Sequence, residues 1–170
     1  MEISFEPMSE GHRKAIIDIY NHYIDNSFSA YPDSRFAYGY FDRFLEMTRG
    51  YPAFALMDGE TVAGFCFLRP WNPLPTFKGC AEITYFIGPE YTGKGIGTMA
   101  LERLEAEARK MGIRTILASI ASENRQSLNF HGRNGFRECG RFEKVIEKKG
   151  VRFDVVWMQK DLDQPANAPS

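Results

Sequence analysis

Three glycines and a lysine form the part of this sequence best suited to binding chemistry. Gly93, Gly95 and Gly97 alternate with other residues, including Lys94, between an apolar run at 83–87 and a helical pattern. Glycine permits a positive φ and removes the Cβ that would keep a ligand away from the backbone. Main-chain N–H groups ahead of a helix attract anions through the helix dipole and through their number. The spacing predicts an anion-binding turn, and the alternative is a tight turn without a ligand.

Two nucleotide-binding motifs fit this turn only in part. A phosphate-binding loop fits from Gly88 to Lys94, but Gly95 stands where that motif places a Ser or Thr for magnesium. The dinucleotide fingerprint fits Gly95-x-Gly97-x-x-Ala100, although it normally opens a series of βαβ units. Here a short helix and an antiparallel hairpin follow instead. A nucleotide hydrolase is therefore disfavoured, and a dinucleotide enzyme ranks second among the enzyme hypotheses.

Glu82 is a second candidate for chemistry, because it interrupts a largely apolar predicted strand at 81–87. A carboxylate in such a strand is costly unless it is paired or functional. Beside a bound ammonium group it could accept a proton, directly or through water. The alternatives are an ion pair and an exposed strand position.

The composition favours one compact domain in a reducing compartment. The chain has 170 residues, of which 44% are hydrophobic, and a net charge of −1. This charge gives no electrostatic footprint for nucleic acid or for an anionic membrane, and no apolar run approaches the roughly 18 residues of a membrane helix. The N-terminus does not resemble a signal peptide. We expect a single domain over residues 1–162 and a disordered polar tail over 163–170.

The cysteines and histidines argue against cross-links and metals. Three scattered cysteines, an odd number, predict free thiols and hence a cytoplasmic protein. The three histidines share no metal-ligand spacing, so no metal site is expected.

Apolar periodicity predicts the element order βααβββαβαββ, an α+β domain with a mixed, mostly antiparallel sheet flanked by helices. Strands are expected at about 3–8, 53–57, 61–68, 81–87, 115–121, 140–147 and 151–159. Helices are expected at about 9–25, at 38–48, between the glycine turn and Gly112, and from Asn124 to Gly135. The segment at 70–77 holds three prolines, too many for a strand or helix, and is predicted to be a binding loop.

The element order and two motifs together resemble the GNAT superfamily of acyl-CoA-dependent N-acetyltransferases. The motifs are Thr92-x-x-Gly95-x-Gly97 and Asn124-x-x-Ser127-x-x-x-His131-x-x-x-Gly135-Phe136. The resemblance covers nearly the whole chain. Within the superfamily, the segment at 19–23 and the proline loop that leads to Glu82 are similar to the phosphinothricin acetyltransferase group, which acetylates small amines including amino-acid analogues.

This resemblance implies acetyl-CoA as the cosubstrate. In the superfamily the glycine turn binds the pyrophosphate, and the preceding strand pairs with the pantetheine arm as a peptide adds to a sheet edge. One N–H group of that strand is expected to polarise the thioester carbonyl. Lys94 either adds a phosphate contact or stays solvated. The expected cofactor-binding residues are Phe86, Ile87, Gly88, Thr92, Gly93, Lys94, Gly95, Ile96, Gly97, Thr98, Asn124 and Ser127.

The resemblance also implies two catalytic side chains. His131 stands where the family often has a Tyr near the leaving sulfur. A neutral His can hydrogen-bond to a thiol, and a protonated one can protonate a thiolate, whereas the alternative is a His that only packs or binds CoA. Glu82 would act as the general base. The substrate-binding residues are expected to be Tyr20, Phe28, Asn72, Phe77, Glu82 and Thr84.

The resulting hypothesis is acetyl transfer to the primary amine of a small amino-acid-like or antibiotic-like molecule, by direct attack in a ternary complex. A protein N-acetyltransferase should instead present an open acidic groove, and a non-catalytic acyl-CoA-binding module would need neither Glu82 nor His131. The expected partner is a small amine, not nucleic acid or a membrane, and a homodimer stays open.

One departure from the phosphinothricin group bears on the substrate. Asn72 and Leu74 stand where that group typically has arginines, which can grip an α-carboxylate bidentately. We therefore expect weak activity on phosphinothricin or methionine sulfone and a preference for a less acidic, partly apolar amine. Arg69 or Lys78 could supply the missing cation.

Overall fold

The computed structural model describes residues 1–163 as seven strands and four helices. The strands are β1 (Ile3–Pro7), β2 (Ala53–Asp58), β3 (Thr61–Pro70), β4 (Cys80–Ile87), β5 (Thr115–Ala121), β6 (Arg137–Lys148) and β7 (Val151–Asp161). The helices are α1 (Arg13–Asn26), α2 (Phe41–Met47), α3 (Ile96–Lys110) and α4 (Arg125–Arg133). The predicted order βααβββαβαββ is confirmed. Residues 164–170, where most of the predicted polar tail falls, lie outside the described part of the chain.

The strands form one sheet in the order β1-β2-β3-β4-β5-β7-β6. Only β4 and β5 pair in parallel, and the other neighbouring strands are antiparallel. A parallel pair needs a crossover connection, which α3 supplies. The prediction of a mixed, mostly antiparallel α+β sheet is therefore confirmed.

The sheet separates two apolar cores. Alternation along β3 sends Phe65 and Phe67 to one core and Cys66 and Leu68 to the other, as the two-residue period of a strand requires. Helices α1 and α2 cover the first core, mainly with Ile16, Ile17, Phe41 and Phe44. Helix α3 covers the second core with residues spaced three or four apart, namely Ile96, Ala100, Leu101, Leu104 and Ala108.

Gly64 in β3 allows β3 to hold the end of β4 closely. It lies opposite Ile87, and a Cβ at this position would lie 2.7 Å from the main-chain oxygen of Phe86, which is too close for any side chain. One residue further along β4, the N–H of Gly88 donates a hydrogen bond of 2.7 Å to the carbonyl of Ala63. The last residues of β4 are therefore fixed on the β3 side just before the glycine turn.

The C-terminal hairpin is longer than the sequence predicts. Strand β6 begins at Arg137 instead of 140, and β7 continues to Asp161. Two register shifts interrupt their pairing, near Gly140 and between Phe142 and Ile146. Most residues of the outer strand β6 are exposed. The apolar pattern in the sequence therefore does not show where β6 begins and ends. Within residues 1–163 no helix is long and apolar enough to cross a membrane.

Candidate active site

The glycine turn leads from β4 into the N-terminus of α3. Gly93 has a φ of +73° and Gly95, the N-cap of α3, has a φ of +81°, in the left-handed region that favours glycine. A Cβ at either position would have no atom of the described part of the chain within 4 Å. The backbone here is therefore open to a ligand, and the unpaired N–H groups of the first helical turn provide donors for an anion.

Most of the predicted residues of the turn line a cavity. These are Thr92, Gly93, Gly95, Ile96, Gly97 and Thr98. Two others lie outside its lining. Gly88 contacts β3 through its N–H, and the Lys94 ammonium lies 5.3 Å from the centroid of the Tyr91 ring. The cavity thus meets the backbone of the turn and not its lysine side chain.

The cavity continues between β4 and β5, which diverge. The two strands pair only where Cys80–Glu82 meets Thr115–Leu117, although each remains paired with its outer neighbour. Among the described strands, the rest of β4, including Phe86 and Ile87, therefore has no ladder partner on the β5 side, and both residues line the cavity. An edge of this kind can accept an extended ligand that bears amide groups.

Asn124 and Ser127 line the cavity at the start of α4. The side-chain oxygen of Asn124 accepts a hydrogen bond of 3.1 Å from the N–H of Ser127, which confirms the predicted helix cap. Its amide group also donates to the Ser29 hydroxyl at 3.0 Å. Asn124 thus joins α4 to the loop that follows α1.

An ion pair between Glu82 and Arg69 lies at the other end of the cavity. The two residues are cross-strand partners, and Nη2 of Arg69 is 3.1 Å from Oε1 of Glu82. The Glu82 side chain is only 13% exposed, whereas that of Arg69 is 37% exposed. The ion pair that the sequence left as an alternative for Glu82 is therefore present, and within residues 1–163 it leaves Oε2 without a salt bridge.

Arg69 has capacity for another acceptor. Its Nε is buried and has no hydrogen-bond partner among the described residues, and its Nη1 contacts only the Met47 sulfur, at 3.9 Å. Met47, Arg69 and Glu82 all line the cavity. The sequence analysis named Arg69 only as one of two residues that could replace the missing loop arginines. Its position in the sequence does not show in which direction its side chain points.

Tyrosines surround the ion pair. Tyr20, Tyr31 and Tyr40 line the cavity, together with Thr84. Burial raises the pKa of Tyr20 to about 12, and burial with the nearby charge of Glu82 raises that of Tyr31. The hydroxyls of Tyr20 and Tyr31 therefore stay protonated near neutral pH and can donate hydrogen bonds.

Three predicted substrate residues are not brought to this cavity. The Asn72 side chain accepts a hydrogen bond from the N–H of Leu74, and Phe77 packs on Trp71 with ring centroids 5.4 Å apart. Phe28 packs on Phe153 at 5.2 Å. The proline loop therefore turns its side chains away from the cavity, and Arg69, at the end of β3, reaches the cavity instead.

His131 is held by hydrogen bonds at both ring nitrogens. Its Nδ1 lies 2.7 Å from the carbonyl oxygen of Ser127, which can only accept, so Nδ1 has the proton. In the neutral ring Nε2 is then an acceptor, and it accepts a hydrogen bond from the hydroxyl of Tyr85. The residue is 3% exposed, and burial lowers its pKa. Near neutral pH the ring is neutral, and its one free lone pair is directed at Tyr85.

Tyr85 is the functional candidate that the sequence analysis missed. Because side chains alternate along β4, Tyr85 lies on the other face of the sheet from Glu82 and Phe86. This is the face on which α4 must pack. That pattern was available in the sequence, but it identifies only the face and not the contact with His131. Burial raises the pKa of Tyr85 well above its usual value, so its hydroxyl keeps its proton.

The two ends belong to one continuous cavity of about 580 Å³. The glycine turn is at one end, the Glu82–Arg69 pair at the other, and His131 and the free edge of β4 lie along its walls. This volume falls in the range of small-molecule sites. The arrangement can hold an anionic, extended ligand and a second, smaller ligand together.

Comparisons with known proteins agree with this geometry. The chain matches the model of the Acetyltransferase (GNAT) family over residues 16–136. It is 34% identical over 123 residues to an L-methionine sulfoximine/L-methionine sulfone acetyltransferase of Pseudomonas aeruginosa, covering 71% of each chain. It is 26% identical over 166 residues to a phosphinothricin N-acetyltransferase of Streptomyces coelicolor, covering 95% of this chain and 97% of the relative.

A solved structure gives the same result. The yncA protein of Salmonella typhimurium, solved with its cofactor acetyl-CoA, has a TM-score of 0.88 and 27% identity, covering 100% of this chain and 99% of the other. The predicted resemblance to the phosphinothricin acetyltransferase group is thus confirmed. The matched residues include the glycine turn, β4 and His131, and the chain belongs to the GNAT family of acetyltransferases.

Proposed function

We propose that the protein transfers the acetyl group of acetyl-CoA to the primary amine of a small, amino-acid-like molecule, by direct attack while both are bound. The observation that supports this most is the continuous cavity from the glycine turn to the Glu82–Arg69 pair. Two ligands held in line within one cavity need no covalent enzyme intermediate. The relatives named above act on methionine sulfoximine, methionine sulfone and phosphinothricin, which are amino-acid analogues.

The residues of the glycine turn and of β4 fit acetyl-CoA, which supplies the acyl group as an activated thioester. The open backbone at Gly93 and Gly95 would bind the pyrophosphate. The main-chain groups of Ile87 lie on the free edge of β4, where its carbonyl accepts from Tyr23, and its N–H would pair with the amide-bearing arm. Asn124 adds an amide group at the start of α4.

Glu82 is the proposed general base. Its Oε2 is available to attract an ammonium group and to accept the proton that this group must lose before attack, directly or through a water molecule. Arg69, on the other oxygen, keeps the carboxylate in place. The surrounding tyrosine hydroxyls can donate hydrogen bonds to the substrate without competing for its proton.

His131 is the proposed acid at the sulfur end. In the hydrogen-bonding pattern of the structure, its neutral ring cannot donate a proton from Nε2, so it must first be protonated there. Tyr85 stabilises the neutral ring by donating to it. The hydroxyl of Tyr85 must therefore turn away from His131 when His131 acts as an acid. The hydrogen bond between them thus opposes protonation of Nε2.

A pair of variants tests this assignment. We expect His131→Phe to lower kcat by roughly 10²–10⁴, the range of general acid–base catalysis, with little change in acetyl-CoA affinity. An acid is active while protonated, so its contribution is lost as the pH rises through its pKa. Tyr85→Phe removes a donor to the neutral ring and should raise this pKa, which moves the alkaline limb of the kcat profile to higher pH.

Other outcomes would contradict the assignment. A His131→Phe variant with normal turnover would leave His131 a packing residue. An alkaline limb that stays in place in Tyr85→Phe would mean that another group is the acid.

Arg69 changes the expectation about the substrate. Asn72 lies outside the cavity lining, whereas Arg69 lines the cavity beside the amine-binding carboxylate, and its side chain is 37% exposed. A carboxylate and an ammonium on one small molecule can then meet Arg69 and Glu82 together. We therefore propose that α-amino acids with a free carboxylate are accepted, in place of the preference for less acidic amines that the loop sequence favoured.

A comparison of each amino acid with its amide tests this proposal. We expect the free carboxylate to be favoured in kcat/KM, and Arg69→Gln to lower kcat/KM for the amino acid by about 10- to 100-fold, as for a hydrogen bond between charged groups. The amide should lose less, because it loses only the support that Arg69 gives to Glu82. Lys78→Gln is the matched control, because Lys78 lies outside the cavity lining. An amide used as well as its amino acid would restore the earlier expectation.

A screen of amines with acetyl-CoA tests the function as a whole. Release of the free thiol of CoA and the mass of the acetylated product would be measured for amino acids, their analogues, other small amines and a lysine peptide. Intersecting initial-rate lines would support direct transfer in a ternary complex. Acetyl-CoA binding without amine-dependent release would indicate a binding module, and a preferred peptide would indicate a protein acetyltransferase.

We propose the cytoplasm as the site of action and a homodimer as the assembly. The cysteines are free among the described residues, and Cys139 is exposed, which suits a reducing compartment. The outer strand β6 exposes apolar side chains at Phe142 and Val145 (55% and 58%), which supports self-association. Sedimentation of the purified protein would measure the assembly.

A further inference from the structure

The loop at 27–37, which connects α1 to the 3-10 turn before α2, bridges the two halves of the sheet. It begins on α1, which packs on the side of β2, β3 and β4. Its last residues stay on that side, where Arg35 pairs with Asp25 and Phe36 bonds with Asn21, but residues 29–31 contact the other half. The Tyr31 hydroxyl is 2.9 Å from the Ser119 hydroxyl of β5, and the Ser29 hydroxyl accepts from Asn124. The loop therefore crosses the opening between β4 and β5.

This loop forms part of the cavity wall. Ser29, Ala30 and Tyr31 all line the cavity. Tyr31 is close enough to Glu82 for the carboxylate charge to raise the pKa of its phenol. The position of the loop thus determines the shape of the end that holds the Glu82–Arg69 pair, which is the proposed amine end.

Lys148, the last residue of β6, holds this loop from the hairpin side. It is 2% exposed, and its Nζ donates to the carbonyl oxygens of Ser27 at 2.9 Å and of Ala30 at 2.6 Å. A buried ammonium is costly unless its protons meet acceptors, and carbonyls outside regular structure need donors. The Lys148 ammonium therefore gains acceptors, and the two loop carbonyls gain a donor.

The neighbouring residue Lys149 makes a different contact and so provides a comparison for Lys148. Lys149 is exposed and its Nζ donates to the carbonyl of Asp25, within α1. It contacts the helix before the loop, whereas Lys148 contacts two carbonyls of the loop itself. The pair offers a test and a control on adjacent residues of one hairpin.

We propose that Lys148 is a positioning residue that fixes the 27–37 loop across the β4–β5 opening and so shapes the amine end of the cavity. Without its ammonium, two loop carbonyls lose their donor and the loop loosens. The glycine turn does not contact Lys148, so acetyl-CoA binding is expected to be largely kept. The enzymatic part of this inference rests on the proposed function, whereas the effect on the loop does not.

Lys148→Met, Lys148→Arg and the control Lys149→Met test the inference. In Lys148→Met we expect faster amide hydrogen exchange at 28–34 and a rise of about tenfold in KM for the amine, with acetyl-CoA affinity changed by no more than about threefold. Lys148→Arg keeps a donor cation and should restore part of both properties. Lys149→Met should behave as the wild type.

Three results would overturn the inference. These are unchanged loop exchange in Lys148→Met, equal losses of amine and acetyl-CoA binding, and a Lys149→Met variant that behaves in the same way. If Lys148→Met does not fold, NMR of the ¹⁵N-lysine-labelled wild type decides: ammonium protons of Lys148 that exchange as fast as those of Lys149 would contradict the burial contact. If no amine is acetylated, the exchange measurements still decide the role of Lys148 in the loop, and only the proposed function fails.

Discussion

Gly95→Val is expected to abolish measurable acetyl-CoA binding. The glycine has a φ of +81°, and the space next to it is empty of protein atoms. A valine would place a branched side chain where the proposed pyrophosphate lies and would resist the left-handed backbone. Loss of two hydrogen bonds to a charged group corresponds to a fall in affinity of at least about 100-fold. Calorimetry with acetyl-CoA measures it.

Gly112→Val is the matched control for this prediction. Gly112 lies just after the other end of α3, with a φ of +76° and the same absence of neighbours around a Cβ. The two variants should therefore lose similar stability, of the order of 1–3 kcal/mol for a strained backbone. Only Gly95→Val should lose acetyl-CoA. Equal affinity in both folded variants would remove the glycine turn from the proposed site.

The element order and the glycine turn could be predicted because their signals are local. Asp58-Gly59 indicates a hairpin, Gly112 and Gly135 follow helix ends, and all three glycines adopt a positive φ. Alternation along β3 likewise follows the two cores. Such features need only a few neighbouring residues, so one sequence is enough to identify them.

The parts of the amine end formed by Arg69 and by the loop at 27–37 could not be predicted, because they are assembled from distant segments. Arg69 extends the end of β3 into the cavity, whereas Asn72, three residues later, does not reach it. Lys148 meets a loop more than 100 positions earlier in the chain. Neither direction follows from spacing or composition, since the chain path of an irregular loop is set by its tertiary contacts. A sequence can nominate such residues, but only the fold determines which of them share a cavity.

Glu82→Gln is expected to lower kcat by roughly 10²–10⁴ while leaving acetyl-CoA affinity nearly unchanged. Glutamine keeps the shape of the side chain and removes both the negative charge and the proton acceptor. The carboxylate lies at the end of the cavity opposite the glycine turn, so its effect should fall on the reacting amine and not on the cofactor end. Steady-state kinetics and calorimetry separate the two quantities.

Glu105→Gln provides the matched control. Glu105 is also a buried carboxylate in an ion pair, with Lys160 at 2.5 Å, but it lies in α3 outside the cavity lining. Both variants leave a cation, Arg69 or Lys160, without its carboxylate partner, so both should lose some stability. Only Glu82→Gln should lose turnover.

The pH dependence of the residual rate tests what Glu82 does. If it removes a proton from the attacking ammonium, amines that are already deprotonated need it less. The rate of Glu82→Gln should then recover as the pH approaches the pKa of the amine, and amines of lower pKa should lose less. A deficit that is constant across pH and across amines would mean that Glu82 only orients the substrate through Arg69, and the general base would have to be a water molecule or another group in the cavity.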